Sequence, residues 1–169
     1  MATNTEVANG ALLALSESER LSSIDDEGAR AGILRERLPV IRDALLEDHP
    51  WGFATRRVAL ANNSEGPLYG FVYAYDLPAD AIRVVALEDE RVDTAWTVQN
   101  GQLLTDRAPP LRIEYRFRAN DPVRWPATFR LCVELALAAD VCVALTGSTS
   151  QLQILGQRLN TALANARFS

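Results

Sequence analysis

Apolar residues recur at helical spacing at both ends of the chain and at strand spacing in the middle. Val7, Ala8, Ala11, Leu12 and Leu15 predict a first helix over about Thr5 to Leu15, ended by the polar segment Ser16 to Arg20. The run Ser22 to Glu27 offers N-cap side chains and first-turn carboxylates for a second helix reaching about Asp48, with Ile33, Leu34, Leu38, Ile41, Leu45 and Leu46 as its apolar stripe. Pro39 falls inside that stripe and cannot donate to the helical ladder, so a kink or two abutting helices is expected there.

The period then changes to two. Tyr69, Phe71, Tyr73 and Tyr75 alternate with Gly70, Val72 and Ala74, which predicts a strand from Tyr69 to Tyr75. Ile82 to Leu87 is a short β-branched run. Thr94 to Val98 joins Gln102 to Leu104 through Asn100-Gly101, a strong hairpin signal because both turn positions require positive φ. After Pro109-Pro110, the residues Leu111, Ile113, Tyr115 and Phe117 alternate with Arg112, Glu114, Arg116 and Arg118, one face apolar and the other charged.

Helical spacing returns after Asp121-Pro122. Ala127 to Leu145 predicts a strongly apolar helix whose three charges, Arg130, Glu134 and Asp140, share about a third of its circumference at roughly 100° per residue. Most of that helix must face other protein. Thr146-Gly147-Ser148 supplies a C-terminal glycine and a new cap, and a last helix follows over about Ser150 to Arg167 with Leu152, Leu155, Leu159, Ala162, Leu163 and Ala166 on one stripe. The expected fold class is α+β: a single domain, mainly an α-helical bundle built from residues 5–56 and 121–168, with a small antiparallel β-sheet insertion at about 58–119.

Composition narrows the classes of function. The 169 residues are 48% hydrophobic and 23% charged, enough for a globular core that buries about 70% of the surface of the unfolded chain. All 17 basic residues are arginine, and 22 Asp and Glu leave a net charge of -5. That balance argues against a protein whose main task is to grip nucleic acid, since such binding relies on neutralising phosphates. Cys132 and Cys142 stand ten residues apart on one predicted helix, about 15 Å at 1.5 Å per residue, too far for a disulfide and suited to a reducing compartment. Met1 to Asn9 lack a basic start and a long apolar run, so no signal peptide is expected. The charges of Ala127 to Leu145 argue against a membrane span.

Chemistry is sparse. His49 is the single histidine and so the one conventional general base near neutral pH, yet a histidine at a helix end is more often a cap or packing residue. One His and two separated Cys are too few for a zinc or transition-metal site, and no phosphate-cradling glycine fingerprint is present, so neither metal nor cofactor is expected. The carboxylates Asp25-Asp26 and Glu88-Asp89-Glu90 could in principle serve a glycosidase, but such clusters in polar turns are commonly helix starts and solvated loops. Arg112, Arg116 and Arg118 would project from one strand face, where they could hold a carboxylate-rich partner or a phosphate backbone, or simply be an exposed face.

The order of these landmarks resembles a known family. Arg42-Asp43-x-Leu45-Leu46, then His49-Pro50-Trp51-x-Phe53-Ala54, Arg57 and Ala59-Leu60-Ala61 form a first block. Tyr73-Ala74-Tyr75-x-Leu77-Pro78-Ala79-Asp80 with Arg83-Val84 forms a second. Leu104-Thr105-Asp106, Ala108-Pro109, Leu111 to Tyr115 and Asp121-Pro122 form a third, and the helix ending Leu145-Thr146-Gly147-Ser148 a fourth. In this order the blocks resemble the tail tubular protein A family, the head-to-tail adaptors or gatekeepers of tailed phages. Trp125-Pro126 departs from the family pattern.

The resemblance implies a structural virion protein without catalytic turnover. Such a protein would be made in the bacterial cytoplasm and built into the virion neck as a ring, typically of twelve copies. The ring would dock on the portal protein and extend the DNA channel toward the tail nozzle or tail tube, so that DNA passes without sequence-specific binding at ejection. It implies family-motif structural roles for His49, Pro50, Trp51, Phe53, Tyr73, Tyr75, Leu77, Pro78, Thr146 and Gly147. Trp51 and Phe53 would anchor the chain where helix gives way to sheet, and Tyr73, Tyr75 and Leu77 would pack the β insertion onto the bundle. Candidate partner contacts are Arg112, Arg116, Arg118, Leu163 and Phe168. Two other readings remain: a virion-associated peptidoglycan-degrading enzyme using His49 with an acidic partner, and a small-ligand or peptide-binding module presenting the tyrosine-rich strand.

Overall fold

Thr3 and Glu6 cap each other's backbone and start the first helix: the Thr3 hydroxyl accepts from the Glu6 amide at 3.2 Å, and the Thr3 amide donates to the Glu6 carboxylate at 2.8 Å. The computed structural model describes residues 3–88 and 95–167, the side chain of Arg167 excepted. Among them are four α-helices and two three-stranded antiparallel sheets, an α+β fold. The chain divides into two compact units, Met1–His49 with Ala119–Ser169, and Pro50–Arg118.

The first unit is helical. Helix α1 (Asn4–Ala14) buries Val7, Ala8, Ala11 and Leu12. The connection after it is tied down by Asn9, whose amide group donates to the Leu21 carbonyl at 3.0 Å and accepts from the Leu21 amide at 2.8 Å. The segment Ser22 to Glu27 does not cap the next helix. Asp26 accepts from the Ser23 amide at 2.9 Å and Ser23 from the Asp25 amide at 3.1 Å, so these short polar side chains close their own turn. Helix α2 (Ala29–Asp48) starts instead from Gly28, which makes no side-chain cap. It runs unbroken through Pro39, which is exposed.

Helix α3 (Ala127–Thr146) is the centre of this unit, packing against α1, α2 and helix α4 (Thr149–Arg167). It buries residues on several sides, Phe129, Cys132, Val133, Leu137, Val141 and Cys142 among them, which is why it reads as nearly continuous apolar sequence. Both cysteines are free and buried. Trp125 enters the helix with its indole N–H donating to the Ala119 carbonyl at 2.9 Å and its ring edge-on to Phe129, centroids 5.3 Å apart. Gly147 closes α3 at φ 68°, with its amide donating to the Val143 carbonyl at 3.0 Å. The Thr146 hydroxyl donates to the Cys142 carbonyl at 2.7 Å. Arg37 of α2 and Asp140 of α3 pair through two hydrogen bonds of 2.6 and 2.9 Å.

The second unit is the sheet region. One sheet has the order β1 (Thr55–Leu60), β6 (Leu111–Phe117), β3 (Ala81–Leu87); the other has β2 (Tyr73–Asp76), β5 (Gln102–Thr105), β4 (Trp96–Gln99). Val58 faces Ile113 across the first pair and Tyr75 faces Leu103 in the second sheet. Leu60, Tyr75, Val84, Leu87, Leu103, Leu111, Ile113 and Tyr115 form one buried cluster. The β4–β5 hairpin turns at Asn100 (φ 50°) and Gly101 (φ 75°), as the Asn-Gly pair predicts. Thr94, assigned to that hairpin from the sequence, lies outside the described residues.

One predicted strand is shortened. The Tyr69 to Tyr75 alternation pairs only from Tyr73 onward, because Gly70 takes φ 89° and Tyr69 is 87% exposed. β1, absent from the sequence reading, begins just after the Gly52–Ala54 3-10 turn.

Candidate functional site

His49 ends α2 as a half-buried C-cap residue in extended conformation, and exposed Pro50 follows. Trp51 is 5% exposed, and its ring lies 6.3 Å from that of Phe53 at a 55° tilt. Its carbonyl accepts from the Ala54 amide at 3.0 Å and from the Thr55 hydroxyl at 3.0 Å, so the motif turns the chain from helix into β1. Of the two carboxylate clusters weighed from the sequence, only part lies among the described residues. Asp26 is spent on the Ser23 turn, Glu88 grips Arg112, and Asp89 and Glu90 lie outside the described residues.

The second block builds the β unit's own core. Tyr75 is fully buried, its ring is 6.4 Å from that of Tyr73, and its hydroxyl donates to the Arg107 carbonyl at 2.6 Å. Burial pushes the Tyr75 phenol above its ordinary pKa, with Tyr73 adding to the effect. Tyr73 and Leu77 pack against the same cluster, and the Leu77 amide donates to the Gly101 carbonyl at 2.9 Å. Pro78 accepts from the Ala81 amide at 2.9 Å and so shapes the turn that presents Asp80.

Asp80 is the hub that sequence reasoning quoted but did not single out. Its carboxylate meets the Arg56 guanidinium at 2.9 Å and accepts from the Tyr115 hydroxyl at 3.2 Å, while its carbonyl accepts from the Arg118 amide at 2.7 Å. The Arg56 guanidinium also lies over the Phe117 ring, 3.6 Å from its centroid. The Tyr115 phenol is held above its usual pKa, first by burial and then by the Asp80 charge.

The arginine face expected on β6 is different in kind. Arg112 contacts both carboxylate oxygens of Glu88 at 3.0 Å, and Arg57 pairs with Glu114 at 2.8 Å. Arg116 is buried at 7% exposure, out of reach of a partner on an exposed face, and it stands opposite Arg83, where the β6–β3 register shifts between Ala81 and Arg83. Arg118 is exposed. A concavity of about 440 Å³ on this sheet is walled by Val58, Leu87 and Ile113 together with these ion pairs, a bound charge ladder rather than a cationic patch.

Among the described residues, each unit has an exposed apolar surface. In the sheet unit the loop 63–72 is tethered at its base. The Asn63 amide donates to the Ala74 carbonyl at 2.8 Å, the Asn63 side chain reaches Asp76 at 3.2 Å, and the Val72 amide donates to Asp106 at 2.9 Å. The loop carries Leu68, Tyr69 and Val72 at 101%, 87% and 62% exposure. In the helical unit, two depressions of about 360 and 180 Å³ share Leu131, Leu135 and Arg158 and form one groove between α1, α3 and α4. Leu163 is half-buried on α4, and Phe168 lies outside the described residues.

Glu134 stands at one end of that groove. Burial raises its carboxyl pKa, and Arg130, at 3.5 Å, opposes the shift. Among the described residues no group of three His, Cys, Asp or Glu could hold a metal ion, and no helix is long and apolar enough to cross a membrane. No protein-family model matches the chain, and no curated protein matches it.

Proposed function

We propose that this protein is a structural part of a phage virion, an adaptor that closes into a ring of about twelve copies, docks on the portal and carries the DNA channel toward the tail nozzle or tube. The reading joins the sequence resemblance to one observation: both units leave large apolar side chains in water, Leu68 and Tyr69 on one and Leu13, Leu131 and Ile154 on the other. Monomers rarely leave such groups clustered and uncovered, and subunits of an assembly do. An acidic chain, net charge -5, suits a channel wall along which DNA slides without sticking. Several of its arginines are paired with carboxylates of the same chain, among them Asp80, Glu88, Glu114 and Asp140. No catalytic step is assigned.

The test is to mix the purified protein with the portal of the same phage and image the product. A ring of adaptor density on one face of the portal is expected. Failure to bind the portal at all, together with a zone of peptidoglycan lysis that disappears in His49→Ala, would overturn the adaptor reading in favour of a wall-degrading enzyme.

A further inference from the structure

We propose that the loop tip Leu68-Tyr69 of one copy seats in the groove between α1, α3 and α4 of a second copy, an inference that rests on the self-assembly reading above. The loop is a prepared ligand. Its two ends are fixed by the Asn63 and Val72 hydrogen bonds, which limits the freedom the loop has to lose on docking, while Gly66 at φ 54° and Gly70 at φ 89° supply the left-handed turns on either side of Leu68-Tyr69. Scattered exposed apolar residues are ordinary, but here Leu68 and Tyr69 stand side by side on the tip, with exposed Val72 at the tethered end of the same loop. Leu68 is 101% exposed.

The groove is a matching receptor. Its apolar lining includes Leu13, Leu131, Leu135 and Ala162, of which Leu13 and Leu131 are 62% and 45% exposed, and the carboxylate that also lines it, Glu134, is paired with Arg130 at 3.5 Å. Arg158 on its rim makes no hydrogen bond or ion pair among the described residues. Exposed Glu65, three residues before Leu68, brings the complementary charge. An acidic, apolar loop and an apolar groove with an open arginine on its rim occur on the same chain, so each copy offers one donor and one acceptor surface. That is the heterologous contact from which rings are built.

Charge reversal and cross-linking of the full chain test this. Glu65→Arg and Arg158→Glu should each weaken self-association about tenfold or more, read by native mass spectrometry over a concentration series, because each places like charges together. The double variant E65R/R158E restores the pair with its signs exchanged and should recover most of the loss, an outcome that mere misfolding would not give. L68C/A162C treated with a short bismaleimide should give a covalent ladder of dimers, trimers and higher species. Either cysteine alone should stop at dimers, since Cys132 and Cys142 are buried. No ladder beyond dimers, or no rescue in the double reversal, overturns the interface. A ring on the portal whose copies do not cross-link overturns this contact and leaves the adaptor reading standing. Cross-linked open chains that never close or bind the portal retain the contact and overturn the adaptor.

Discussion

Gly10 of α1 lies so close to Glu134 of α3 that a Cβ at position 10 would stand 2.4 Å from the carboxyl carbon. The two helices approach here because one has no side chain, and the half-buried carboxylate takes up the space. Glycine inside a helix ordinarily costs about 1 kcal/mol relative to alanine. We therefore expect Gly10→Ala to forfeit that gain, leaving the protein no more stable or less so. In a Glu134→Ala background the same substitution should stabilise by about 1 kcal/mol. Urea denaturation of the four-protein cycle measures the coupling; additive effects would show that the close approach carries no energetic consequence.

The same carboxyl sets a pH dependence. Burial raises the Glu134 pKa above its ordinary value of 4.5, so the folded state holds this proton more tightly than the unfolded chain. The contribution favours folding at low pH, and is lost as pH rises from about the unfolded value through the raised folded one. Glu134→Gln should remove this component, flattening the stability profile on the alkaline side of 4.5 and leaving the neutral-pH protein at least as stable, since the Arg130 pair it gives up is partly exposed. A parallel profile for wild type and variant, followed by thermal unfolding in a pH series, would count against this assignment.

Trp51 is the anchor of the helix-to-strand turn. Its buried ring meets Phe53, and its carbonyl collects two hydrogen bonds that shape the entry to β1. Trp51→Ala should cost about 3 to 5 kcal/mol through lost burial and the cavity left behind. Chemical denaturation with tyrosine fluorescence or circular dichroism as the readout gives the number, and a loss below about 1 kcal/mol would mean that the site collapses around the smaller side chain.

What could be read from the sequence followed from local rules, and what could not depended on distant partners. Helix α3 and the Asn100-Gly101 hairpin were legible because the first is apolar on most of its circumference and the second needs positive φ at consecutive residues. The Tyr69 to Tyr75 alternation misled because period two says nothing of whether a partner strand is present. β5 offers pairing only from Tyr73 to Asp76, and Gly70 has already turned the chain. The Ser22 to Glu27 caps were misplaced since those side chains bond equally well within a turn. For the surfaces, Arg116 alternates with apolar residues yet lies inside, opposite a bulge that no spacing rule foretells. Gly10 and Glu134, like Asp80 and Tyr115, meet only once the chain has folded.

Asp80 gathers three groups of the sheet unit: Arg56 on β1, Tyr115 on β6 and the Arg118 amide just beyond β6. Truncating it leaves the buried Tyr115 hydroxyl without this acceptor and frees the guanidinium that now rests on Phe117. Asp80→Ala should destabilise by about 1 to 3 kcal/mol, the range for losing a charge-assisted hydrogen bond to a partly buried donor. Tyr115→Phe, which deletes the hydroxyl itself and orphans no buried donor, should cost about 1 kcal/mol or less. The order matters more than either value, because the asymmetry between removing the acceptor, which orphans a buried hydroxyl, and removing the donor, which leaves Asp80 its Arg56 partner, is what identifies Asp80 as the hub. If Tyr115→Phe proved the more damaging of the two in urea titrations, the phenol's packing rather than the carboxylate would hold these strands together.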